Sequence, residues 1–243
     1  MKNIKPLNRE PWVSLEGKSQ LKNWTHRKEV AYNQQLRQAL KYEFFIKAVD
    51  FIADNKIPGD YHEYGCHRAR TFRMVLTEVA KKSALSGMNF FAFDSFAGLP
   101  TVTSNPDIPL WKRGALATSE KEFLRMIRQH GLGAGRVRTV PGFYDQSLTP
   151  TLQKKFQQEE QPIALATIDC DLYESAVPVF GFLEPLLQEG SVLYLDDLFT
   201  GYRGSPVRGV SLAFEEFRQR SRFKFAEHMQ VGWWGRSYIT YQG

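Results

Sequence analysis

Two apolar runs, each followed directly by acidic residues, constrain the fold of this chain more than any other feature. Within residues 163–199 the first run ends at Asp169 and Asp171, and the second ends at Asp196 and Asp197. Both runs have the length and composition of buried parallel strands, and residues 172–188 between them are typical of a helix. Because neighbouring parallel strands end at one edge of a sheet, we expect the four carboxylates to collect where open α/β sheets bind ligands.

The rest of the chain alternates between strand and helix patterns. The further predicted strands are residues 61–64, 89–93 and 137–140, with one more in the tail around Tyr238 and Tyr241. The predicted helices are residues 26–55, 153–161 and 172–188, with others around Phe72, Phe123 and Phe214. Repeated units of this length predict a doubly wound, mostly parallel α/β sheet in a single domain, residues 1–243. Residues 1–45 are interpreted as an N-terminal arm and helical lid, and residues 100–117 as a second lid.

Charge and cysteine usage exclude several classes of partner. The net charge of +6 is modest, and no block of like charges forms a nucleic-acid-binding arm. The first residues hold no apolar signal segment and no run reaches transmembrane length, so we expect no membrane partner. Cys66 and Cys170 have no disulfide spacing, which favours a reduced, cytoplasmic setting. We also expect a homo-oligomer.

A glycine turn and a later acid indicate an adenosine-type ligand. Glu63 and Gly65 lie where the first strand turns into its helix, whose N-terminus favours negative charge. The dinucleotide fingerprint GxGxxG is absent, so this turn is also compatible with a plain strand–helix connection. Asp94 closes the second strand at about the offset of an acid that binds ribose hydroxyls. Its alternative role is to cap the turn that contains Ser95 and Gly98.

The acids at the ends of the fourth and fifth strands predict a magnesium site. Asp169, Asp196 and Asp197 can converge on one cation, and Mg²⁺ prefers carboxylate and water oxygens. The alternative for Asp196 and Asp197 is an acidic pair that opens a loop. Asp171 also fits a capping box with Glu174, at the start of the following helix, so capping and catalysis both stay open for it.

Four segments resemble the family of macrocin and mycinamicin sugar O-methyltransferases, which includes the novobiocin-pathway sugar methyltransferase. They are GDYHEYGCHRART, FAFDSFAGLP, VPGFYDQSL and IDCDLYESA with its following LLQEGSVLYLDDLF, in order from about Lys41 to Phe199. The resemblance implies a class I, Rossmann-like methyltransferase fold with a seven-stranded sheet. It also implies S-adenosylmethionine as methyl donor, Mg²⁺, and a small hydroxylated substrate, a sugar or a phenol.

The resemblance also implies roles for single residues. Glu63 and Gly65 would lie against the methionine part and the sugar of the cofactor, and Asp94 would hold its ribose hydroxyls. Further cofactor contacts are expected from Cys66, Thr71, Ser95, Gly142 and Asp169. Asp169, Asp196 and Asp197 would be metal ligands, Asp171 the general base, and Asp169 a second catalytic residue. The family's usual Gly-Gly-Ser after the first turn is here Ala69-Arg70-Thr71, and the sequence after Phe199 is not typical.

Two other functions stay open at this point. Asp169-Cys170-Asp171 is also an Asp-x-Asp motif, which a metal-dependent glycosyltransferase would use. A non-catalytic protein that binds an adenosine ligand would keep the cofactor turn without the chemistry. Other candidate bases are His67, His130 and His228, and candidate pocket walls are Trp111, Trp233, Trp234 and Tyr202.

Overall fold

The computed structural model describes residues 25–243, so residues 1–24 of the predicted arm and helical lid, residues 1–45, lie outside them. The helices are α1 (His26–Asp54), α2 (Arg70–Val79), α3 (Glu120–His130), α4 (Tyr144–Ser147), α5 (Pro150–Gln158), α6 (Tyr173–Leu183) and α7 (Gly209–Arg220). The strands are β1 (Asp60–Tyr64), β2 (Phe90–Asp94), β3 (Val137–Pro141), β4 (Ile163–Ile168), β5 (Leu187–Leu195), β6 (Lys224–Val231) and β7 (Gly235–Tyr241).

The strands of the described part form one seven-stranded sheet in the order β3-β2-β1-β4-β5-β7-β6. The first five are parallel, whereas β7 runs antiparallel to both β5 and β6. The chain winds outward from β1 through β2 to β3, and then from β4 to β5 on the other side. The switch point between β1 and β4 opens a crevice at the carboxyl ends of the strands, so the predicted doubly wound sheet is confirmed.

Element boundaries differ from the prediction mainly around β5. The helix predicted for residues 172–188 ends at Leu183, and a short 3₁₀ turn, Glu184–Leu186, leads into a strand that begins at Leu187. Pro185 in that turn does not suit a continuing α-helix. Strand β6 was not predicted, because most of its side chains are not buried and its apolar pattern is weak.

Two apolar layers cover the sheet. One contains residues of α1, α2 and α3, and the other contains residues of α5, α6 and α7. Every residue of β1 and β4 is buried, as expected for central parallel strands.

Helix α1 joins the core over its second half. Phe44 and Phe45 pack on the ring of Tyr194, with ring centroids 4.5 Å and 5.9 Å away. The first ten residues of α1 are exposed, whereas Lys41 and most of the apolar side chains after it are buried. Residues 26–45 of the segment interpreted as an arm and helical lid therefore begin a helix whose second half is anchored in the core, and the lid role stays a prediction. In residues 25–243, helices long and apolar enough to cross a membrane do not occur.

Candidate active site

A cavity of 610 Å³ opens at the carboxyl ends of the parallel strands. Most of the predicted site residues line it: Gly65, Cys66, Thr71, Asp94, Ser95, Gly142, Asp169 and Asp171. Three predicted residues, Glu63, Asp196 and Asp197, are not among the lining residues, and all three are buried. The sheet topology thus brings segments that are a hundred residues apart in sequence to one crevice.

Gly65 is the point where the loop after β1 touches the end of β4. Its φ is +91°, and a Cβ added to it would lie 1.8 Å from the carbonyl oxygen of Asp169. Backbone hydrogen bonds hold this loop between its neighbours: Gly65 N donates to Phe93 O at 2.9 Å, and Asp169 N donates to Tyr64 O at 2.8 Å. Glycine is therefore required here by contact with the neighbouring strand, whereas the sequence alone had suggested close approach to a ligand.

Asp94 ties the end of β2 to the loop after β1. Its Oδ2 accepts hydrogen bonds from Cys66 N at 2.7 Å and His67 N at 3.1 Å, and its Oδ1 accepts one from Phe96 N at 2.7 Å. The turn-capping role is thus present. A carboxylate has about four lone-pair sites, so these bonds leave capacity for a ligand. Ribose binding by Asp94 stays a prediction.

Glu63 lies beneath the cavity. Its carboxyl group accepts hydrogen bonds from Thr71 Oγ1, at 2.7 Å, and from the hydroxyl of Tyr61. Burial raises the pKa of Glu63 to about 8. Glu63 therefore orients Thr71, which does line the cavity, and direct contact of Glu63 with a cofactor stays a prediction.

Ser95 and Gly142, two further predicted cofactor residues, also line the cavity. Ser95 Oγ donates to Gly98 O at 2.7 Å and accepts from Ala97 N at 3.1 Å. Gly142, with φ +130°, donates from its N–H to Asp94 O at 3.0 Å. Both residues hold the loops after β2 and β3 against the cavity.

Asp169, Asp196 and Asp197 come together as predicted. One carboxylate oxygen from each lies within 4.8 Å of the others. Asp197 Oδ2 is buried and has no hydrogen-bond partner among the described residues, which is costly unless a ligand binds it. Burial, together with the neighbouring carboxylates, raises the pKa of both Asp169 and Asp197. An oxygen-only set with an unpartnered carboxylate oxygen fits Mg²⁺.

Lys41 of α1 also reaches this cluster, although no sequence motif points to it. Its Nζ lies 2.6 Å from Asp196 Oδ2 and 3.3 Å from Asp169 Oδ2. Burial opposes the charge of Lys41, yet the acids around it raise its pKa above the ordinary value. Burial would likewise raise the pKa of Asp196, but Lys41 holds that pKa below the ordinary value. The sequence signal that could have indicated a buried Lys41 is its helical spacing, four and seven residues before the core positions Phe45 and Ala48.

Asp171 lines the cavity but does not cap α6. The N-cap residue is Leu172, and no side chain caps the helix, so the predicted capping box with Glu174 does not form. Asp171 instead adopts a left-handed conformation, φ +63°. Burial raises its pKa, and the charges of Asp169 and Asp196 raise it further. The interpretation of Asp171 as a helix cap is wrong, which leaves a role at the cavity.

Glu174 holds the loop that covers the cavity. Its Oε1 accepts hydrogen bonds from Thr103 N at 2.6 Å and Ser104 N at 3.4 Å. A small apolar cluster anchors the same loop and contains Leu99, Trp111, Leu172 and Tyr202. Trp111 and Tyr202 thus pack in this cluster and Trp234 is buried, whereas Trp233 is exposed. None of these four predicted pocket walls is among the residues that line the described cavity.

The three candidate histidines occupy structural positions. His67 lines the cavity, but its Nδ1 is 2.6 Å from Leu116 O in the covering loop. His130 Nε2 lies 3.1 Å from the hydroxyl of Thr77, and His228 packs against Phe51. Asp171 is accordingly a better placed candidate base than any of them.

The strand order and the acid-lined switch point define the class I methyltransferase fold. Among solved structures, the O-methyltransferase NovP matches with a TM-score of 0.64 and 22% identity, over 82% of this chain and 79% of that chain. The calicheamicin methyltransferase CalS11 matches with a TM-score of 0.67 and 20% identity, over 90% and 88%. TomG from Streptomyces achromogenes, solved in complex with SAM, matches with a TM-score of 0.52 and 12% identity, over 83% and 80%. At these identities the likeness shows the fold.

The chain belongs to the macrocin O-methyltransferase (TylF) family, whose model matches residues 22–238. A curated relative is the demethyldecarbamoylnovobiocin O-methyltransferase of Streptomyces niveus, 27% identical over 157 residues, which are 62% of this chain and 57% of the relative. Another is an 8-demethyl-8-(2,3-dimethoxy-alpha-L-rhamnosyl)-tetracenomycin-C 4'-O-methyltransferase of Streptomyces olivaceus, 26% identical over 61% and 56%. The match spans little more than half the length of these relatives.

Proposed function

We propose that this protein is an S-adenosylmethionine- and Mg²⁺-dependent O-methyltransferase that acts on a hydroxyl of a sugar or a related small natural product. The observation that carries the proposal is the meeting of two sites in one cavity. The glycine turn held by Asp94 lines the cavity together with Asp169, and the carboxylate of Asp169 lies in a cluster with those of the buried residues Asp196 and Asp197. The family membership and the relatives that methylate glycosylated natural products support it.

The loop after β1 and the end of β2 would hold the cofactor. The N-terminus of α2 favours an anionic group such as a carboxylate. Asp94 keeps the loop in place and retains lone pairs for ribose hydroxyls. When bound, S-adenosylmethionine supplies an electrophilic methyl group, and the protein's task is then to align the acceptor oxygen with it.

Asp169, Asp196 and Asp197 would hold Mg²⁺, whose chemistry is to lower the pKa of an acceptor hydroxyl and fix its direction. Asp171 lines the cavity two residues after Asp169 and would accept the proton of that hydroxyl. The loop held by Glu174 would exclude water from the reacting groups.

Calorimetric titration and a transfer assay test this proposal. We expect S-adenosylmethionine to bind in the micromolar range and methyl transfer to a panel of glycosides and phenols to stop with EDTA. Tight binding of a nucleotide-sugar without any response to S-adenosylmethionine would instead support the glycosyltransferase alternative. Cofactor binding without transfer to any acceptor, with or without Mg²⁺, would support the non-catalytic alternative.

A further inference from the structure

Lys41 is bound to the same carboxylates that a metal ion needs. Its ammonium group lies 2.6 Å from Asp196 Oδ2 and 3.3 Å from Asp169 Oδ2. We propose that Lys41 is a resident cation of this cluster, which competes with a divalent metal ion for Asp196 and Asp169 and thereby sets the metal affinity of the site. The inference rests on the proposed metal-dependent function.

The hydrogen bonds of Asp196 show why the two cations would compete. Its Oδ1 accepts from the hydroxyl of Tyr194 and from Trp234 Nε1, the latter at 3.2 Å, and its Oδ2 accepts from Lys41. All these groups are buried, so water does not readily replace a lost partner. Asp197 Oδ2 has no hydrogen-bond partner among the described residues, so a metal ion there would replace none. A metal ion on Asp196 Oδ2 would lie beside the ammonium of Lys41, and two cations in contact repel each other strongly in a buried site.

Helix α1 delivers Lys41 to this position and holds it there. Phe44 and Phe45 follow Lys41 in the helix and pack on Tyr194, the residue that also donates to Asp196. The lysine side chain is 9% exposed. Its charge is therefore a fixed part of the site and not that of a mobile surface lysine.

A second position for the displaced ammonium exists on the same helix. Gln38 lies three residues before Lys41, and side chains at this spacing are neighbours on a helix surface. Gln38 lines the cavity, and its Oε1 is buried without a hydrogen-bond partner among the described residues. Because helical side chains lean toward the N-terminus, Lys41 can turn toward Gln38 Oε1 when a metal ion takes its place.

The test measures direct binding of Mn²⁺ to the cofactor-free protein by electron paramagnetic resonance and calorimetry. We expect Lys41→Met to bind Mn²⁺ at least about ten-fold more tightly than the wild type, a change of about 1.4 kcal/mol. The matched control is Lys47→Met on the same helix, since Lys47 is exposed and pairs with Glu43. That control should leave the affinity unchanged, and Asp197→Ala should weaken it.

The outcomes separate the two proposals. If the wild type and Lys41→Met bound Mn²⁺ with equal affinity while Asp197→Ala bound it more weakly, the role of Lys41 would be refuted. The proposed metal site would then still be supported. Absence of Mn²⁺ binding by every variant would overturn the metal site and the inference together. If Lys41→Met does not fold, a wild-type crystal soaked in Mn²⁺ decides. Displacement of Nζ from Asp196 Oδ2 supports the inference, and a bound ion beside an unmoved Lys41 refutes it.

Discussion

Replacing Gly65 by alanine should damage the fold and the site together. The added Cβ would lie 1.8 Å from Asp169 O, whereas real Cβ contacts are essentially never under 3.0 Å, so the two segments must separate by at least 1.2 Å. The neighbour is a backbone carbonyl, which has no flexible side chain to move aside. Gly65 and Asp169 both line the cavity, so the shift would change both of its sides.

The cost has two parts. A left-handed backbone costs an alanine about 1–2 kcal/mol, and overpacking a well-filled site costs about 1–3 kcal/mol more. We therefore expect Gly65→Ala to lower the free energy of unfolding by about 2–5 kcal/mol. We also expect the affinity for S-adenosylhomocysteine to fall by at least about ten-fold, since displacements near 1 Å are enough to cause large losses at a reacting centre.

Urea unfolding and calorimetry with S-adenosylhomocysteine measure both effects. Gly131→Ala is the matched control for backbone strain, because Gly131 has φ +86° but nothing within 4 Å of its added Cβ. Gly87→Ala is the neutral control, with open space and no positive φ. If Gly65→Ala were as stable as Gly131→Ala and bound the ligand like the wild type, the argument from contact with Asp169 would be refuted.

Three further predictions concern His62, Asp94 and Asp171. Burial lowers the pKa of His62 to about 3, so the folded protein keeps this ring neutral while the unfolded chain binds a proton below its ordinary value of 6.5. The stability that His62 contributes is therefore full above pH 6.5 and falls by about 3 kcal/mol by pH 4. The variant His62→Phe should lack this loss when urea titrations measure the free energy of unfolding above pH 6.5 and at pH 4. A pH dependence equal to that of the wild type would contradict this. Asp94→Asn should weaken S-adenosylhomocysteine binding at least about ten-fold, since charge-assisted hydrogen bonds to the loop are lost, while Asp54→Asn on the surface should not. Asp171→Asn should keep cofactor and Mn²⁺ affinity but slow methyl transfer by about 10²–10⁴-fold, and undiminished turnover would exclude it as the base.

Most of the parallel part of the sheet could be predicted because strands β2, β4 and the second half of β5 are apolar on both faces. Runs such as Ile163–Ile168 stand out from the polar segments around them, and turn residues such as Pro141 and Gly142 mark their ends. Strand β6 could not be predicted, since it lies at the sheet edge and is held mainly by pairing with β7. Its side chains carry little hydrophobic signal.

The acidic site was largely predictable for a related reason. Residues that directly follow adjacent parallel strands must lie at the same edge, so Asp169, Asp196 and Asp197 were placed together by their strands. The capping interpretation of Asp171 failed because capping depends on the local backbone. The left-handed conformation at that residue is not written in the sequence pattern.

The sequence by itself determined which strands form and which acids follow them, because both depend on residues that are neighbours in the chain. The tertiary structure alone decided what those acids face. Lys41 lies 128 residues before Asp169, and only the packing of α1 on Tyr194 brings its charge into the cluster. The two apolar runs that end in carboxylates thus predict a cation site, and the fold places a lysine ammonium beside those carboxylates.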